Sequence, residues 1–151
     1  MKTKVVIVDD HSLFNDGLSL ILKESGKYEI LAQIYDSRKA YNECNTPLPE
    51  LILVDYNMPF LDGLSLVKQL RTLVHRSKIV VISMYADRRE IEAFKAFEIE
   101  GYLSKTSPSA EILMSLDKIM TGESVFQVKQ EQKTSFEKDF FSLKKSKKPW
   151  I

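Results

Sequence analysis

Short apolar runs alternate with amphipathic segments along most of this chain. Five runs predict strands: residues 4–8, 28–35, 51–55, 78–83 and 101–104. The runs KVVIV and LILVD contain almost no polar alternation, which is typical of strands that are buried on both faces. The segments between the runs space their apolar residues as helices do. They predict helices over residues 12–25, 37–45, 64–74, 87–98 and 108–121.

Polar and glycine residues mark the ends of the first and last predicted helices. Ser12 is expected to cap the first helix, and Gly26 to end it. Pro108 stands at the start of the last helix, and Gly122 lies past its end. Strands and helices in regular alternation predict an α/β fold, in which a parallel sheet carries helices on both faces. Such sheets bind ligands at the carboxyl ends of their strands.

Composition and charge limit the class of protein to which this chain can belong, but they do not indicate a binding partner. The 151 residues are 44% hydrophobic, which suits one domain with a short appendage. The formal net charge is +1, but residues 123–151 carry +3, which leaves −2 for residues 1–122. Cys44 is the only cysteine, so no intramolecular disulfide forms and a cytoplasmic setting is expected. The first apolar run is too short for a signal peptide or a membrane span.

Chemically active side chains follow four of the five predicted strands. Asp9 and Asp10 close the first strand and Asp55 closes the third, while Ser83 ends the fourth and Lys105 follows the fifth. The carboxyl ends of parallel strands meet at one edge, so these groups are expected to converge. Clustered carboxylates repel one another unless a cation neutralises them. Mg²⁺ suits such a site because it takes oxygen ligands and keeps positions for phosphate oxygens.

These residue types point to phosphoryl transfer onto a carboxylate. The candidate metal ligands are Asp9 or Asp10, Asp55 and the backbone carbonyl of Asn57. Asp55 is the candidate nucleophile, since carboxylates can form aspartyl phosphates. Lys105 and the Ser83 hydroxyl would each contact a further phosphoryl oxygen. The Asp55 carboxylate needs no general base, because an ordinary carboxylate is already ionised near neutral pH.

Each of these residues, taken alone, also has an ordinary structural explanation. Asp9 alone is best explained as a turn or cap residue, Ser83 as a helix cap and Lys105 as a solvated side chain. The stretch Asn57-Met58-Pro59 suits a plain turn, because asparagine and proline favour turns. The joint placement of all of them at strand ends is what favours the functional interpretation.

Four stretches resemble the receiver domains of two-component response regulators, especially the NarL/FixJ (LuxR-type) subfamily. They are VVIVDDHSLFNDGL, LILVDYNMPFLDGLSLVKQLR, VVISMYADRREI and GYLSKTSPSAEILMSLDKIMTGE, and the resemblance extends over about residues 3–123. The resemblance implies a flavodoxin-like (CheY-like) sheet of five parallel strands in the order 2-1-3-4-5. It also implies a receiver domain over residues 3–122.

The resemblance implies a role for each matching residue. Asp9 and Asp10 form the acidic metal pocket, Asp55 accepts a phosphoryl group from a sensor histidine kinase, and Lys105 contacts that group. Asn57 supplies its carbonyl to Mg²⁺. Ser83 acts as the switch hydroxyl in place of the commoner threonine, followed by the bulky Met84.

The implied switch also involves Tyr102. When Ser83 moves to the phosphoryl oxygens, the Tyr102 ring is expected to turn inward and repack the face of the fourth helix, fifth strand and fifth helix. Without the resemblance, Tyr102 is better explained as a partly buried aromatic with no moving role. A homodimer is expected through that face, or through the first and fifth helices.

The segment after the predicted receiver domain is too short for a helix-turn-helix module. Residues 123–151 are interpreted as a linker or tail, with a short amphipathic helix over about 129–146. The linker of a regulator whose DNA-binding domain is absent here is favoured. A natural tail on a single-domain receiver is the second interpretation. A basic segment that contacts nucleic acid or membrane is the third.

Two other classes of function compete with the switch. A phosphatase of the haloacid-dehalogenase type carries a second aspartate two residues after its nucleophile, but that position is Asn57 here. The chain is therefore expected to promote only its own phosphorylation and dephosphorylation. An interaction module with an inactive pocket is disfavoured, because every pocket residue is present. His11 and His75 lack metal-ligand spacing, and His11 is expected to be structural or a modest tuner of the pocket.

Overall fold

A computed structural model of the chain describes residues 1–44, 48–73, 76–84 and 87–127. The strands are β1 Thr3–Val8, β2 Tyr28–Ile34, β3 Leu51–Asp55, β4 Lys78–Ser83, β5 Gly101–Ser104 and β6 Val125–Phe126. The helices are α1 Ser12–Glu24, α2 Ala40–Glu43, α3 Gly63–Leu73, α4 Arg88–Lys95 and α5 Ser109–Met120, with a 3₁₀ turn at Ser37–Lys39 before α2. All ten elements predicted up to residue 122 are present. The predicted tail helix and His75 lie outside the described residues.

The sheet has six strands rather than the five that were predicted. Its order is β2-β1-β3-β4-β5-β6, and every pair is parallel. The order of the first five strands is as expected. The added strand β6 pairs Val125 with Gly101 and Phe126 with Tyr102. A strand of two residues carries no periodic pattern of its own, so only its pairing with β5 defines it.

Alternate residues of the central strands enter two separate cores, one on each face of the sheet. On one face, Val6 and Val54 pack with Phe94 of α4 and with residues of α3. On the other face, Ile7 and Leu53 pack with residues of α1 and α5. This arrangement explains why the runs Val5–Val8 and Leu51–Val54 of the central strands are apolar at consecutive positions: both faces of the sheet are covered by helices.

The start of α1 differs from the sequence prediction. Ser12 is the first helical residue rather than the cap, and His11 occupies the cap position without a side-chain hydrogen bond to the helix. The Asp9 side chain instead accepts the His11 backbone N–H at 2.8 Å. The predicted Ser12 cap is therefore wrong, because an aspartate at the strand end already holds this turn. Gly26 and Gly122 follow their helices with positive φ angles of 75° and 108°, as expected of residues past helix ends.

Arg71, from α3, fixes the start of β5 against the rest of the domain. Its guanidinium donates to the backbone carbonyls of Ser77, Phe97 and Glu98 at 2.6–3.0 Å. It also pairs with the Glu100 carboxylate at 2.8 Å. Five donors in a rigid planar group allow one arginine to satisfy all these acceptors at once. The strand that leads to Lys105 is thereby anchored at its beginning.

Candidate functional site

The predicted carboxylates meet at the carboxyl edge of the sheet. Asp9 follows β1 and Asp55 ends β3, and both are almost fully buried, while Asp10 is partly exposed. Asn15, a buried residue of α1, donates its side-chain N–H to the Asp9 carbonyl at 3.0 Å and to the Ile34 carbonyl at 3.2 Å. These bonds hold the end of β1 against the end of β2, so the backbone beneath the acidic residues is fixed.

The loop after Asp55 approaches the start of α3 very closely. The Gly63 N–H donates to the Tyr56 carbonyl at 2.9 Å. A Cβ atom added at Gly63 would lie 2.6 Å from the Asp55 carbonyl oxygen and 2.9 Å from the Tyr56 Cα. Both neighbours are backbone atoms that cannot simply turn aside. Glycine at this position is therefore what allows α3 to start beside the acidic edge.

Lys105 joins the acidic residues from β5. Its ammonium nitrogen lies 2.7 Å from Asp9 Oδ2 and 3.1 Å from Asp55 Oδ1, and its side chain is only 4% exposed. The Phe14 ring lies 4.6 Å from the same nitrogen. The Lys105 backbone N–H donates to the Ser83 carbonyl at 2.8 Å, which ties the ends of β4 and β5 together. Sequence reasoning placed Lys105 at this edge, and the structure brings it there.

His11 also enters the acidic cluster, at a ligand-like position that its spacing in the sequence did not predict. Its Nδ1 atom lies 3.2 Å from Asp9 Oδ1, 3.5 Å from Asp10 Oδ1 and 3.4 Å from Asp55 Oδ2. Oxygen or nitrogen atoms of these four residues all lie within 4.8 Å of one another, close enough to share a cation. The only available signal was the direct succession of His11 after the acidic pair. Its side chain remains 60% exposed.

Two carboxylate oxygens in the cluster are buried and unsatisfied. Among the described residues, no group donates a hydrogen bond to Asp10 Oδ1 or to Asp55 Oδ2. Buried carboxylate oxygens are costly without a donor or a cation. Asn57 lies in the exposed loop directly after Asp55, and its backbone N–H donates to the Asp55 carboxylate. The donor set is all oxygen apart from His11, which fits a hard divalent cation such as Mg²⁺.

The surroundings of Asp55 favour its protonated form. Burial and the negative charge of Asp9 raise the pKa of Asp55 from 3.8 to about 6. The Lys105 ammonium and the Asn57 N–H oppose this rise. Desolvation raises a carboxyl pKa and a neighbouring cation lowers it, so the two effects compete at this residue. A cation placed among these carboxylates would lower the pKa of Asp55 and so favour its ionised form.

Ser83 and Tyr102 are in direct contact. Both are almost fully buried, and their hydroxyl groups are hydrogen-bonded to each other. Burial raises the pKa of Tyr102 above its usual value, while the bond from Ser83 opposes that rise. The Tyr102 ring, at 0% exposure, is already inside the domain. Tyr102 is therefore already in the inward position that the sequence analysis expected only after phosphorylation.

A parallel sheet with buried carboxylates, a lysine and a hydroxyl at one edge defines the receiver class of α/β proteins. The family profile described as the response regulator receiver domain matches residues 5–117. Because this match covers most of the chain, the chain belongs to the response regulator receiver family. The predicted family is confirmed. Receiver domains bind Mg²⁺ at an acidic pocket, and this chain has an acidic cluster of Asp9, Asp10, His11 and Asp55 at the carboxyl edge of its sheet.

Two curated relatives and one solved structure illustrate the similarity. The chain is 30% identical over 139 residues to the transcriptional regulatory protein YdfI of Bacillus subtilis, covering 89% of this chain and 64% of YdfI. It is 26% identical over 127 residues to the response regulator protein VraR of Staphylococcus aureus, covering 84% of this chain and 61% of VraR. The chain thus spans about three-fifths of the length of these relatives.

The solved structure is the signal receiver domain of the putative response regulator NarL from Mycobacterium tuberculosis. It superposes with a TM-score of 0.75 at 27% identity, covering 81% of this chain and 98% of that domain. The chain is therefore a response regulator receiver with relatives of the LuxR and NarL type. Within the described part of the chain, no helix combines the length and the apolar character needed to cross a membrane.

Proposed function

We propose that this protein accepts a phosphoryl group on Asp55 from the phosphohistidine of a sensor kinase. The observation that carries the proposal is the position of the Lys105 ammonium, which contacts Asp9 and Asp55 at the buried edge of the sheet. A buried cation beside a carboxylate nucleophile suits a reaction that transfers a negatively charged group. Membership of the receiver family supports the same chemistry.

The acidic residues would hold Mg²⁺ beside Asp55. The proposed ligands are Asp9, Asp10, Asp55 and the backbone carbonyl of Asn57. The buried, unsatisfied oxygens of Asp10 and Asp55 support this assignment. When bound, Mg²⁺ neutralises charge on the phosphoryl oxygens. His11 lies among the same carboxylates, and because most of its side chain is exposed, it can withdraw without disturbing the core.

The residues of the chain then share the transfer step. An ionised Asp55 oxygen forms the new bond to phosphorus, while the phosphorus–nitrogen bond to the kinase histidine breaks and leaves its electron pair on that nitrogen. Lys105 contacts one phosphoryl oxygen and the Ser83 hydroxyl donates to another. Charge neutralisation and positioning account for most of such a transfer. Ser83 and Tyr102 together form the proposed switch.

The proposed output is control of an effector, with transcription as the favoured one. The relative YdfI is named a transcriptional regulatory protein, which supports a DNA-binding partner domain of the helix-turn-helix type. The alternative is a stand-alone receiver that acts through protein contacts.

We assign residues 3–122 to the receiver and 123–151 to a linker or tail, and we place the protein in the cytoplasm. A homodimer would use the face of α4, β5 and α5, or α1 with α5.

Intact mass spectrometry tests the acceptor residue. The protein is incubated with Mg²⁺ and phosphoramidate, a small phosphoryl donor, alongside the variants Asp55→Asn and Asp62→Asn. Asp62 is a suitable control because it is exposed and accepts the Ser65 N–H, a role that asparagine can also perform. One added phosphoryl group is expected in the wild type and in Asp62→Asn, and none in Asp55→Asn. Equal labelling of all three proteins would exclude Asp55 as the acceptor.

We also propose that the chain does not turn over a separate phosphorylated substrate. The residue two positions after Asp55 is Asn57, whose neutral amide is too weak an acid to protonate a leaving group. A steady-state assay with a general phosphatase substrate is expected to show no Asp55-dependent release of phosphate. Multiple turnovers that disappear in Asp55→Asn would contradict this.

A further inference from the structure

The Nδ1 atom of His11 faces three carboxylates at once. It lies 3.2 Å from Asp9 Oδ1, 3.5 Å from Asp10 Oδ1 and 3.4 Å from Asp55 Oδ2. A ring N–H donates along one direction only, and its hydrogen bond in the cluster is with Asp9. The same oxygens of Asp10 and Asp55 are buried without a donor among the described residues. The cluster therefore holds four atoms that can ligate a metal, and two of them are unsatisfied.

Lys105 contacts the other oxygen of two of these carboxylates. Its ammonium pairs with Asp9 Oδ2 and Asp55 Oδ1, whereas His11 faces Asp9 Oδ1 and Asp55 Oδ2. The same ammonium lies 3.4 Å from His11 Nδ1. Because an ammonium only donates, Nδ1 must accept in that contact, yet it must donate in its contact with Asp9. A metal ion resolves this conflict, because it accepts lone pairs from the nitrogen and from the oxygens together.

The backbone of His11 is held at both of its polar groups. Its N–H donates to Asp9 Oδ1 at 2.8 Å, and its carbonyl accepts the Asn15 N–H at 2.9 Å. His11 occupies the cap position of α1, so its side chain starts from a fixed point beside the end of β1. Rotation about the side-chain bonds is enough to bring Nδ1 to the carboxylates or to withdraw it. A ligand fixed in this way loses little entropy when it binds.

The spacing of the four atoms fits a metal that takes both nitrogen and oxygen ligands. Zn²⁺ binds histidine nitrogen and carboxylate oxygen at about 2.0–2.2 Å. Neighbouring ligand atoms in a tetrahedron with such bonds lie about 3.3–3.6 Å apart. The distances from Nδ1 to the three oxygens, 3.2–3.5 Å, are of this size. Mg²⁺ is a hard ion that prefers oxygen, so an imidazole beside the carboxylates favours Zn²⁺ over Mg²⁺.

We propose that His11 is a metal ligand, through Nδ1, that lets the acidic cluster bind Zn²⁺ in preference to Mg²⁺. Asp9, Asp10 and Asp55 supply oxygen to either ion, whereas His11 ligates Zn²⁺ and withdraws from Mg²⁺. The imidazole is neutral when it ligates, so it discriminates between the two ions by ligand type and not by charge. The inference rests on the proposed function, because both place a divalent cation among these carboxylates.

Calorimetric titrations with Zn²⁺ and with Mg²⁺ test the selectivity. They compare the wild type with His11→Phe and His75→Phe. Phenylalanine keeps a ring but has no ligand atom, and His75 is the only other histidine in the chain. The Zn²⁺ affinity of His11→Phe is expected to fall roughly 10- to 100-fold, as when a metal site loses a supporting partner. Its Mg²⁺ affinity is expected not to weaken, which also shows that the pocket is folded. His75→Phe is expected to match the wild type for both ions.

Nuclear magnetic resonance of protein with isotope-labelled histidine identifies the nitrogen that binds. The ring nitrogens are observed at constant pH through the carbon-bound ring hydrogens, which do not exchange with water. Zn²⁺ is expected to shift the Nδ1 signal of one histidine in the wild type and in His75→Phe, and Mg²⁺ is expected not to do so. The remaining histidine of His11→Phe is expected to show no such shift. Asp55→Asn is expected to weaken Zn²⁺ binding, because it removes an oxygen ligand of the same cluster.

Separate results would overturn the inference and the proposed function. An equal ratio of Zn²⁺ to Mg²⁺ affinity in the wild type and His11→Phe would show that the imidazole does not select the ion. Undiminished Zn²⁺ binding by Asp55→Asn would place the ion outside the cluster. Either result, with Mg²⁺ still bound, rejects the role of His11 and leaves the proposed function standing. A wild type that bound neither ion would reject the proposed metal pocket itself.

Discussion

The Lys105 ammonium lies 2.7 Å from the Asp9 carboxylate, which is closer than its 3.1 Å distance to Asp55. The lysine that is proposed to hold a phosphoryl oxygen is thus paired mainly with a residue of the proposed metal pocket. A divalent cation at Asp9 would compete with this pair and release Lys105 towards Asp55. Lysine and metal ion are therefore expected to exchange partners rather than to act independently.

Lys105→Met is expected to have opposite effects on metal binding and on phosphorylation. Methionine keeps an apolar contact with Phe14 but removes the charge that competes for Asp9. Mg²⁺ affinity should therefore rise, while phosphorylation by a small donor should slow by about 100-fold, as when one stabilising donor is lost. Mg²⁺ titration and intact mass over time measure the two effects. Lys118→Met, an exposed control on α5, should change neither; weaker Mg²⁺ binding by Lys105→Met would contradict the exchange of partners.

Asp55→Asn is expected to stabilise the fold at neutral pH. The pKa of Asp55 is raised from 3.8 to about 6, so the folded protein holds this proton more tightly than the unfolded chain does. The stability that this preference gives is fully present below about pH 4 and is lost as the pH rises through about 6. At pH 7.5 the ionised wild type should be less stable than Asp55→Asn by on the order of 1–3 kcal/mol.

Urea unfolding of both proteins between pH 4 and pH 8 measures this difference. The two stability curves are expected to separate as the pH rises and to converge towards the acidic end of the range. Mg²⁺ at pH 7.5 should stabilise the wild type more than Asp55→Asn, because the substitution removes one proposed ligand. A separation that does not change with pH would exclude titration of Asp55 as its cause.

Gly63→Ala is expected to disturb the loop that carries Asp55. The added methyl group would lie within 3.0 Å of backbone atoms of Asp55 and Tyr56. We expect a loss of roughly 1–3 kcal/mol in the free energy of unfolding, as for other overpacked sites, and slower phosphorylation. Gly17→Ala is the matched control, since Gly17 lies in α1 with no atom within 4 Å of the added methyl. It should stabilise the protein by about 0.5–1 kcal/mol; a loss for both variants would reject the local clash.

Truncation after residue 122 is expected to be less stable than truncation after residue 127. The shorter protein loses the bonds from the Val125 N–H to the Glu100 carbonyl at 3.1 Å and from the Gln127 N–H to the Tyr102 carbonyl at 2.8 Å. It also leaves the Ser104 N–H without the Gln127 side chain, which accepts it at 2.9 Å. A difference of about 1–3 kcal/mol in unfolding free energy is expected. Identical urea midpoints would show that β6 adds nothing to the fold.

The sequence predicted those parts of the structure that depend on local patterns. Apolar runs such as LILVD identify buried strands, and parallel strands bring Asp9, Asp55 and Lys105 to one edge. The contacts that were missed depend on neighbours distant in the chain. β6 is defined only by its pairing with β5, and the link from Glu90 to Tyr102 requires the packing of α4 against β5. The Ser12 cap failed because Asp9 holds the same turn from the strand side.

Arg71 has a mechanical consequence for the strand that ends at Lys105. Its guanidinium clamps the chain at Glu98 and Glu100, immediately before β5, to α3 and to the start of β4. One end of this four-residue strand is therefore fixed, and the other lies beside Asp55. A displacement of Lys105 would rotate β5 about its fixed end. Because β6 is bonded along β5, the same rotation would be passed to β6 and to Gln127.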